Sequence, residues 1–73
     1  MPHETKTDRL TRILAERIES GHYPPGSQLP SGAQLCKEFG VSQIVVRVAV
    51  ARLKERGLLV TEYGVGMFVR EQT

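Results

Sequence analysis

The 73-residue sequence contains a single cysteine, Cys36, which excludes an intramolecular disulfide and any zinc cluster built from cysteines. No apolar run approaches ~18 residues, so no segment is expected to cross a membrane. The first residues, MPHETKTDR, lack the apolar core of a secretory signal. We therefore expect a cytoplasmic chain that forms one small domain with a marginal core.

The sequence also lacks the residue combinations that catalysis requires. His3 falls in a polar stretch and His22 in a turn, and no serine, cysteine or carboxylate has a partner at a spacing that suggests a catalytic site. No phosphate-binding loop or metal motif is present. We therefore expect no enzymatic activity, no metal and no cofactor, and we interpret Cys36 as a small buried hydrophobic residue.

Positive charge is concentrated in one segment of the chain. The formal net charge is +2, but the segment between Gly40 and Gly57 holds four cations and one acid, a net +3. The cations are Arg47, Arg52, Lys54 and Arg56. Such a cluster is compatible with nucleic acid as a partner. It is equally compatible with a solvated helix end, where the helix dipole favours cations.

Hydrophobic spacing predicts three helices. Residues 1–6 show no periodic spacing of hydrophobic residues and are interpreted as a flexible tail. The first helix starts at Thr7, and its apolar face is formed by Leu10, Ile13, Leu14 and Ile18. Ser31 and Gln34 form a capping box that starts a short second helix. Ser42 caps the third helix, whose buried stripe is formed by Val46, Ala49, Val50 and Leu53.

The last part of the sequence predicts a β-hairpin. Two β-rich runs, residues 58–62 and 67–70, flank a glycine-containing turn. A lone hairpin is unstable, so the SQL segment at residues 27–29 is the expected third strand. The predicted fold is mainly α with a small antiparallel sheet, a winged helix-turn-helix over residues 7–70 with a tail at 71–73. Its third helix can enter the major groove, but the same elements could form a protein-docking module.

Several motifs occur in order over almost the whole chain: YPPGSQLPS, FGVS, VR.A...L, GLL and GVGMFV. This series resembles the DNA-binding domain of the GntR family of bacterial transcription regulators. The resemblance implies a winged helix-turn-helix that binds double-stranded operator DNA, usually as two copies on a palindrome, with repression as the expected outcome. Most members continue into a C-terminal effector-binding domain. The sequence is therefore interpreted as an excised domain or a naturally small regulator, and no effector is assigned.

The resemblance also implies which residues contact DNA. They lie at the start of the second helix, at the start and outer face of the third, and at the wing tip: Ser31, Gly32, Ala33, Ser42, Gln43, Ile44, Val45, Arg47, Tyr63, Gly64, Val65 and Gly66. Arg47 matches the arginine of the family's VR motif.

Two of these positions depart from the family pattern. Ala33 and Gln43 stand where arginine is common, which implies weaker binding or a different preferred sequence. Glutamine pairs with adenine, and Ile44 and Val45 could touch thymine methyl groups, so half-sites containing A·T pairs are expected. The exposed aliphatic residues also keep the alternative open, a winged-helix protein-interaction module with weakened DNA binding.

Overall fold

A computed structural model describes residues 3–71 as three helices followed by a two-stranded antiparallel sheet. The elements are α1 (Lys6–Ser20), α2 (Gly32–Phe39), α3 (Gln43–Glu55), β1 (Leu59–Glu62) and β2 (Gly66–Val69). This order confirms the predicted winged helix-turn-helix, in which α2 and α3 are joined by a tight turn and the hairpin is the wing. Within the described residues, no helix is both long and apolar enough to cross a membrane.

The start of α1 differs from the prediction. The hydroxyl of Thr5 accepts a hydrogen bond from the Asp8 N–H at 3.0 Å, and the Asp8 carboxylate accepts one from the Thr5 N–H at 3.2 Å. This reciprocal capping satisfies two helix-end donors, so α1 begins at Lys6 rather than at Thr7. Residues 5 and 6 thus belong to the helix and its cap and not to a flexible tail. Of the other predicted tail positions, 3, 4 and 71 lie outside helices and strands, and Glu4 forms an ion pair of 2.8 Å with Arg12. Positions 1, 2, 72 and 73 lie outside the described residues.

The core lies between the three helices and the base of the hairpin. The predicted stripe of α3 is buried, and α1 packs across it through Leu10 and Leu14. Leu35 of α2 and Leu59 and Val69 of the two strands complete the same cluster. Helix α3 is therefore held from three sides, and its remaining face is left for solvent or a partner.

The predicted third strand is reduced to a single bridge. Gln28 pairs with Phe68 of β2, supported by a hydrogen bond of 2.8 Å from the Leu29 N–H to the Met67 carbonyl. Pro30 follows directly and has no N–H to donate, so the pairing stops there. The sheet itself contains β1 and β2 only.

The hairpin is shorter than the two β-rich runs. The N–H of Leu58 donates to the Leu53 carbonyl at 3.0 Å, which closes the end of α3 and leaves Leu58 outside β1. At the other end, the Val65 N–H donates to the Glu62 carbonyl at 3.1 Å across the wing tip. Gly64 there has φ +79°, a conformation that glycine adopts without strain.

Candidate nucleic-acid interface

The N-terminus of α2 is capped and carries no acidic residue in its first turn. The Ser31 hydroxyl accepts from the Gln34 N–H at 3.2 Å, and the Gln34 side-chain oxygen accepts from the Ser31 N–H at 2.9 Å. Gly32 and the exposed Ala33 follow with almost no side-chain bulk. A helix N-terminus carries a partial charge of about +0.5, and small residues let an anion approach it.

The N-terminus of α3 has the same character. Ser42 caps it by accepting from the Val45 N–H at 3.3 Å, and its first turn also holds no acidic residue. By contrast, α1 carries Asp8 in its first turn. The two helices of the helix-turn-helix therefore keep the positive ends of their dipoles uncompensated, whereas α1 does not.

A groove between α2 and α3 brings together several of the predicted contact residues. We call it the α2–α3 groove; its lining is Gly32, Ala33, Gln43, Val46, Arg47, Val50, Ala51, Lys54 and Met67. Two cations and no acid belong to this lining. Within residues 3–71, neither Arg47 nor Lys54 lies within ion-pair distance of a carboxylate. Their charges therefore remain available to an anionic partner.

A second groove separates the start of α2 from the hairpin. This wing groove is lined by Tyr23, Gln28, Leu29, Pro30, Ser31, Gly32, Gln34, Val65, Gly66 and Met67. The side-chain amide of Gln28 donates to the Val65 carbonyl at 3.0 Å and so fixes the wing tip against the bridge segment. A Cβ at Gly66 would lie 2.5 Å from that amide nitrogen, so a side chain there would displace Gln28 from this hydrogen bond. Gly32 and Met67 line both grooves, which makes the two continuous.

Four predicted contact residues lie outside these grooves but remain accessible: Ser42, Ile44, Tyr63 and Gly64. The side chain of Tyr63 at the wing tip is 96% exposed, and Ile44 on α3 is 71% exposed. Gly64 also sits at the exposed tip. The surface that includes the grooves, the outer face of α3 and the wing tip is called the α3 surface below.

Val45 does not occupy the outward position predicted for it. Its side chain is half-buried and packs against the core, because it lies at the edge of the buried stripe of α3. Val48, one turn after Ile44, is instead the second aliphatic residue on the outer face, 39% exposed.

Two exposed residues of the α2–α3 groove, Ala51 and Lys54, were not among the predicted contacts, although Lys54 was counted in the cluster of positive charge. Ala51 and Lys54 follow Arg47 by four and seven positions and share its side of the helix. The same helical spacing could have identified them, since Arg47 was already singled out. Lys54 is the more important of the two because it adds a second cation.

The acids that form ion pairs in the described part of the chain lie away from both grooves. Arg17 pairs with Glu38 at 2.7 Å, and Arg52 with Asp8 at 2.8 Å. The hydrogen bond from Arg52, followed by those with Thr5, lowers the pKa of Asp8 below its usual 3.8. These pairs link α1 to α2 and to α3 and leave the α3 surface positive.

Metal-ligating side chains do not cluster in residues 3–71, where no group of three or more could hold an ion. The chemistry of the α3 surface is thus that of hydrogen-bond donors, two cations and aliphatic groups. Such a surface can bind a polyanion, and its helix can present side chains to base edges.

Comparison with known proteins gives a consistent result. The profile of the family described as "Bacterial regulatory proteins, gntR family" matches residues 6–69. The chain is 38% identical over 64 residues to the histidine utilization repressor of Klebsiella aerogenes. It is 39% identical over 64 residues to the galactonate operon transcriptional repressor of Escherichia coli K12. These alignments cover 88% of this chain but only 27% and 28% of the two relatives.

Solved structures agree with the sequence comparison. The fold superposes on the N-terminal domain of AraR in complex with mutant ORR3 with a TM-score of 0.90 and 29% identity, covering 94% of this chain and 99% of that one. It superposes on the DNA-binding domain of AraR in complex with operator ORX1 with a TM-score of 0.86 and 31% identity. That second match covers 89% of this chain and 78% of the other.

Proposed function

Because the chain belongs to the gntR family of bacterial regulatory proteins, we propose that it binds double-stranded DNA sequence-specifically through the α3 surface. In this arrangement α3 lies in the major groove and the N-termini of α2 and α3 face phosphates. The hairpin contacts the adjacent backbone or minor groove. The proposal rests mainly on two adjoining grooves that, within residues 3–71, are lined by two cations without ion-pair partners and by no acid, next to two helix N-termini without an acidic first turn.

Each predicted contact then has a role. Ser31, Gly32 and Ser42 shape the two helix ends that receive phosphates, and Ala33 borders the first of them. Arg47 reaches a guanine edge or a phosphate from the middle of α3. Gln43, Ile44 and the wing-tip residues Tyr63, Gly64, Val65 and Gly66 supply the remaining contacts, while Val45 acts mainly by packing.

We further propose that the chain regulates transcription, most simply as a repressor that acts as two copies on a palindromic operator in the cytoplasm. The support comes from the relatives, since the two compared above are named repressors and the AraR DNA-binding domain is bound to an operator. We assign no effector to this chain.

The test starts with a selection of binding sites from random duplexes, followed by titration of the enriched duplex at several salt concentrations. Affinity should fall linearly on a log–log plot, with a slope of about −0.9 for each phosphate contacted. Arg47→Ala should weaken binding by at least ~1 kcal/mol. It should leave the circular dichroism spectrum unchanged because the replaced side chain is exposed and unpaired in the described structure.

Arg70→Ala is the matched control. It removes the same charge from an exposed arginine that lines neither groove but lies beside the end of α1. If the two variants lose affinity equally, only general electrostatics is involved. If no duplex binds at low salt, DNA binding is refuted and the protein-interaction alternative, which exposed Ile44 favours, takes its place.

A further inference from the structure

We propose that α3 reads thymine methyl groups through Ile44 and Val48, so that its half-site contains A·T pairs where the start of α3 meets the bases. The inference rests on the proposed DNA binding and names its sequence preference. Its basis is the exposure of two large aliphatic side chains, 71% for Ile44 and 39% for Val48, on the outer face of α3. Ile44 is one of the two aliphatic contacts expected from the sequence, and Val48 takes the place of the other, the half-buried Val45.

The two side chains are arranged to act together. Residues four apart on a helix have Cβ atoms about 5–6 Å apart on one face. Successive bases of one strand rise by about 3.4 Å, so the pair spans methyl groups one or two steps apart. Both residues are β-branched and strongly restricted at χ1 in a helix. They therefore lose little rotational freedom when they contact a base.

Thymine is the base that suits such a pair. Its C5 methyl is the apolar group that an A·T pair presents in the major groove, whereas G·C presents only donors and acceptors there. An aliphatic side chain against a G·C edge would leave those polar groups without water or a partner. Gln43, exposed and adjacent to Ile44, offers the donor and acceptor that adenine requires. The three residues thus favour the same base pairs.

The surroundings of the pair favour DNA over a protein partner. Arg47 lies between Ile44 and Val48 in sequence, and Ile44 lies in the first turn of α3, which holds no acidic residue. Arginine is common in protein–protein interfaces, whereas lysine is depleted there, and Lys54 lines the α2–α3 groove together with Arg47. Two aliphatic side chains beside cations that form no ion pair within residues 3–71 match instead a polyanion with apolar groups in its groove.

The test replaces thymine with deoxyuridine in the duplex obtained by selection from a random pool. Uracil keeps the hydrogen-bonding edge and lacks only the methyl group. The wild-type chain should bind about fourfold more weakly for each contacted methyl removed, and about fifteenfold for two. The double variant Ile44→Ala, Val48→Ala should bind the thymine and uracil duplexes almost equally.

Val60→Ala is the matched control for this experiment. Val60 is 40% exposed, nearly the same as Val48, but it lies on β1 paired with Phe68 and lines neither groove. This variant should keep the full preference for thymine. Circular dichroism shows whether each variant keeps the fold. The uracil duplex tests the methyl contact on the unaltered protein, because only the DNA is changed.

The possible failures are distinguishable. Equal affinity of the wild-type chain for the thymine and uracil duplexes, or an enriched site with only G·C pairs opposite α3, overturns the methyl contact and leaves DNA binding intact. The absence of any salt-dependent duplex binding overturns both. Binding to another protein that is lost in the Ile44→Ala, Val48→Ala variant, with no duplex bound, assigns the aliphatic pair to protein docking and also overturns the inference.

Discussion

Ala33→Arg should tighten DNA binding while slightly destabilising the fold. Ala33 is exposed in the first turn of α2 and lines the α2–α3 groove together with Arg47 and Lys54. An arginine there adds a third cation to an acid-free lining. One additional phosphate contact should steepen the slope of log affinity against log salt by about 0.9. At 0.1 M salt that counterion release corresponds to about 1.2 kcal/mol.

The cost to the fold comes from the helix dipole. A cation in the first turn opposes the positive end of α2 by about 0.3–1 kcal/mol. Alanine and arginine both rank among the better helix formers, so intrinsic propensity changes little. The exposed position requires no repacking. Urea denaturation should therefore show a small loss of stability, opposite in sign to the gain in binding.

The assay is fluorescence anisotropy with a labelled selected duplex at four or more salt concentrations. Ser20→Arg is the control because it adds the same charge at the C-terminal end of α1, where the helix dipole favours a cation. Ser20 lines neither groove. An unchanged salt slope in Ala33→Arg would show that the start of α2 does not face a phosphate. An equal change of the salt slope in Ser20→Arg would show that the effect comes from net charge alone and not from the position of Ala33.

Three further predictions concern the support of the α3 surface. Leu53 is fully buried, so Leu53→Ala should lower the free energy of unfolding in urea by roughly 2–5 kcal/mol, and a loss below ~1 kcal/mol would contradict its core position. Gln28→Ala removes the 3.0 Å hydrogen bond to the Val65 carbonyl and should reduce DNA affinity more than stability; unchanged affinity would show that the wing tip needs no such support. Because Arg52 lowers the pKa of folded Asp8, the stabilisation from Asp8 is present above pH 3.8 and is lost as pH falls through the lower folded value. Asp8→Asn should therefore make urea midpoints less dependent on pH below 3.8, and an identical pH profile in the variant would refute this role.

The features that the sequence predicted correctly depend on local chemistry. The capping box of Ser31 and Gln34 and the cap at Ser42 involve residues three positions apart, and the structure contains both. The stripe from Val46 to Leu53 follows helical spacing alone, and all four of its members are buried. Patterns between residues only a few positions apart determine where a helix starts and which of its faces is apolar.

The features that the sequence did not reveal depend on distant contacts. The guanidinium of Arg17 on α1 pairs with Glu38, 21 positions away, and lies 5.1 Å from the centre of the Phe39 ring. In the wing groove, Gln28 forms a hydrogen bond with Val65, 37 positions away. Long flexible side chains select such partners only after the elements have packed, so spacing along the chain does not indicate them.

Arg47 and Arg52 show why charge counted along the sequence differs from charge available at a surface. They are five positions apart on α3, and both were included in the cluster that suggested nucleic-acid binding. The fold brings Asp8 to within 2.8 Å of Arg52, so that arginine joins α3 to α1. Within residues 3–71, Arg47 has no such partner and faces the α2–α3 groove with Lys54. We therefore expect removal of Arg52 to weaken the link between α3 and α1, and removal of Arg47 to leave the fold unchanged while it weakens the proposed DNA binding.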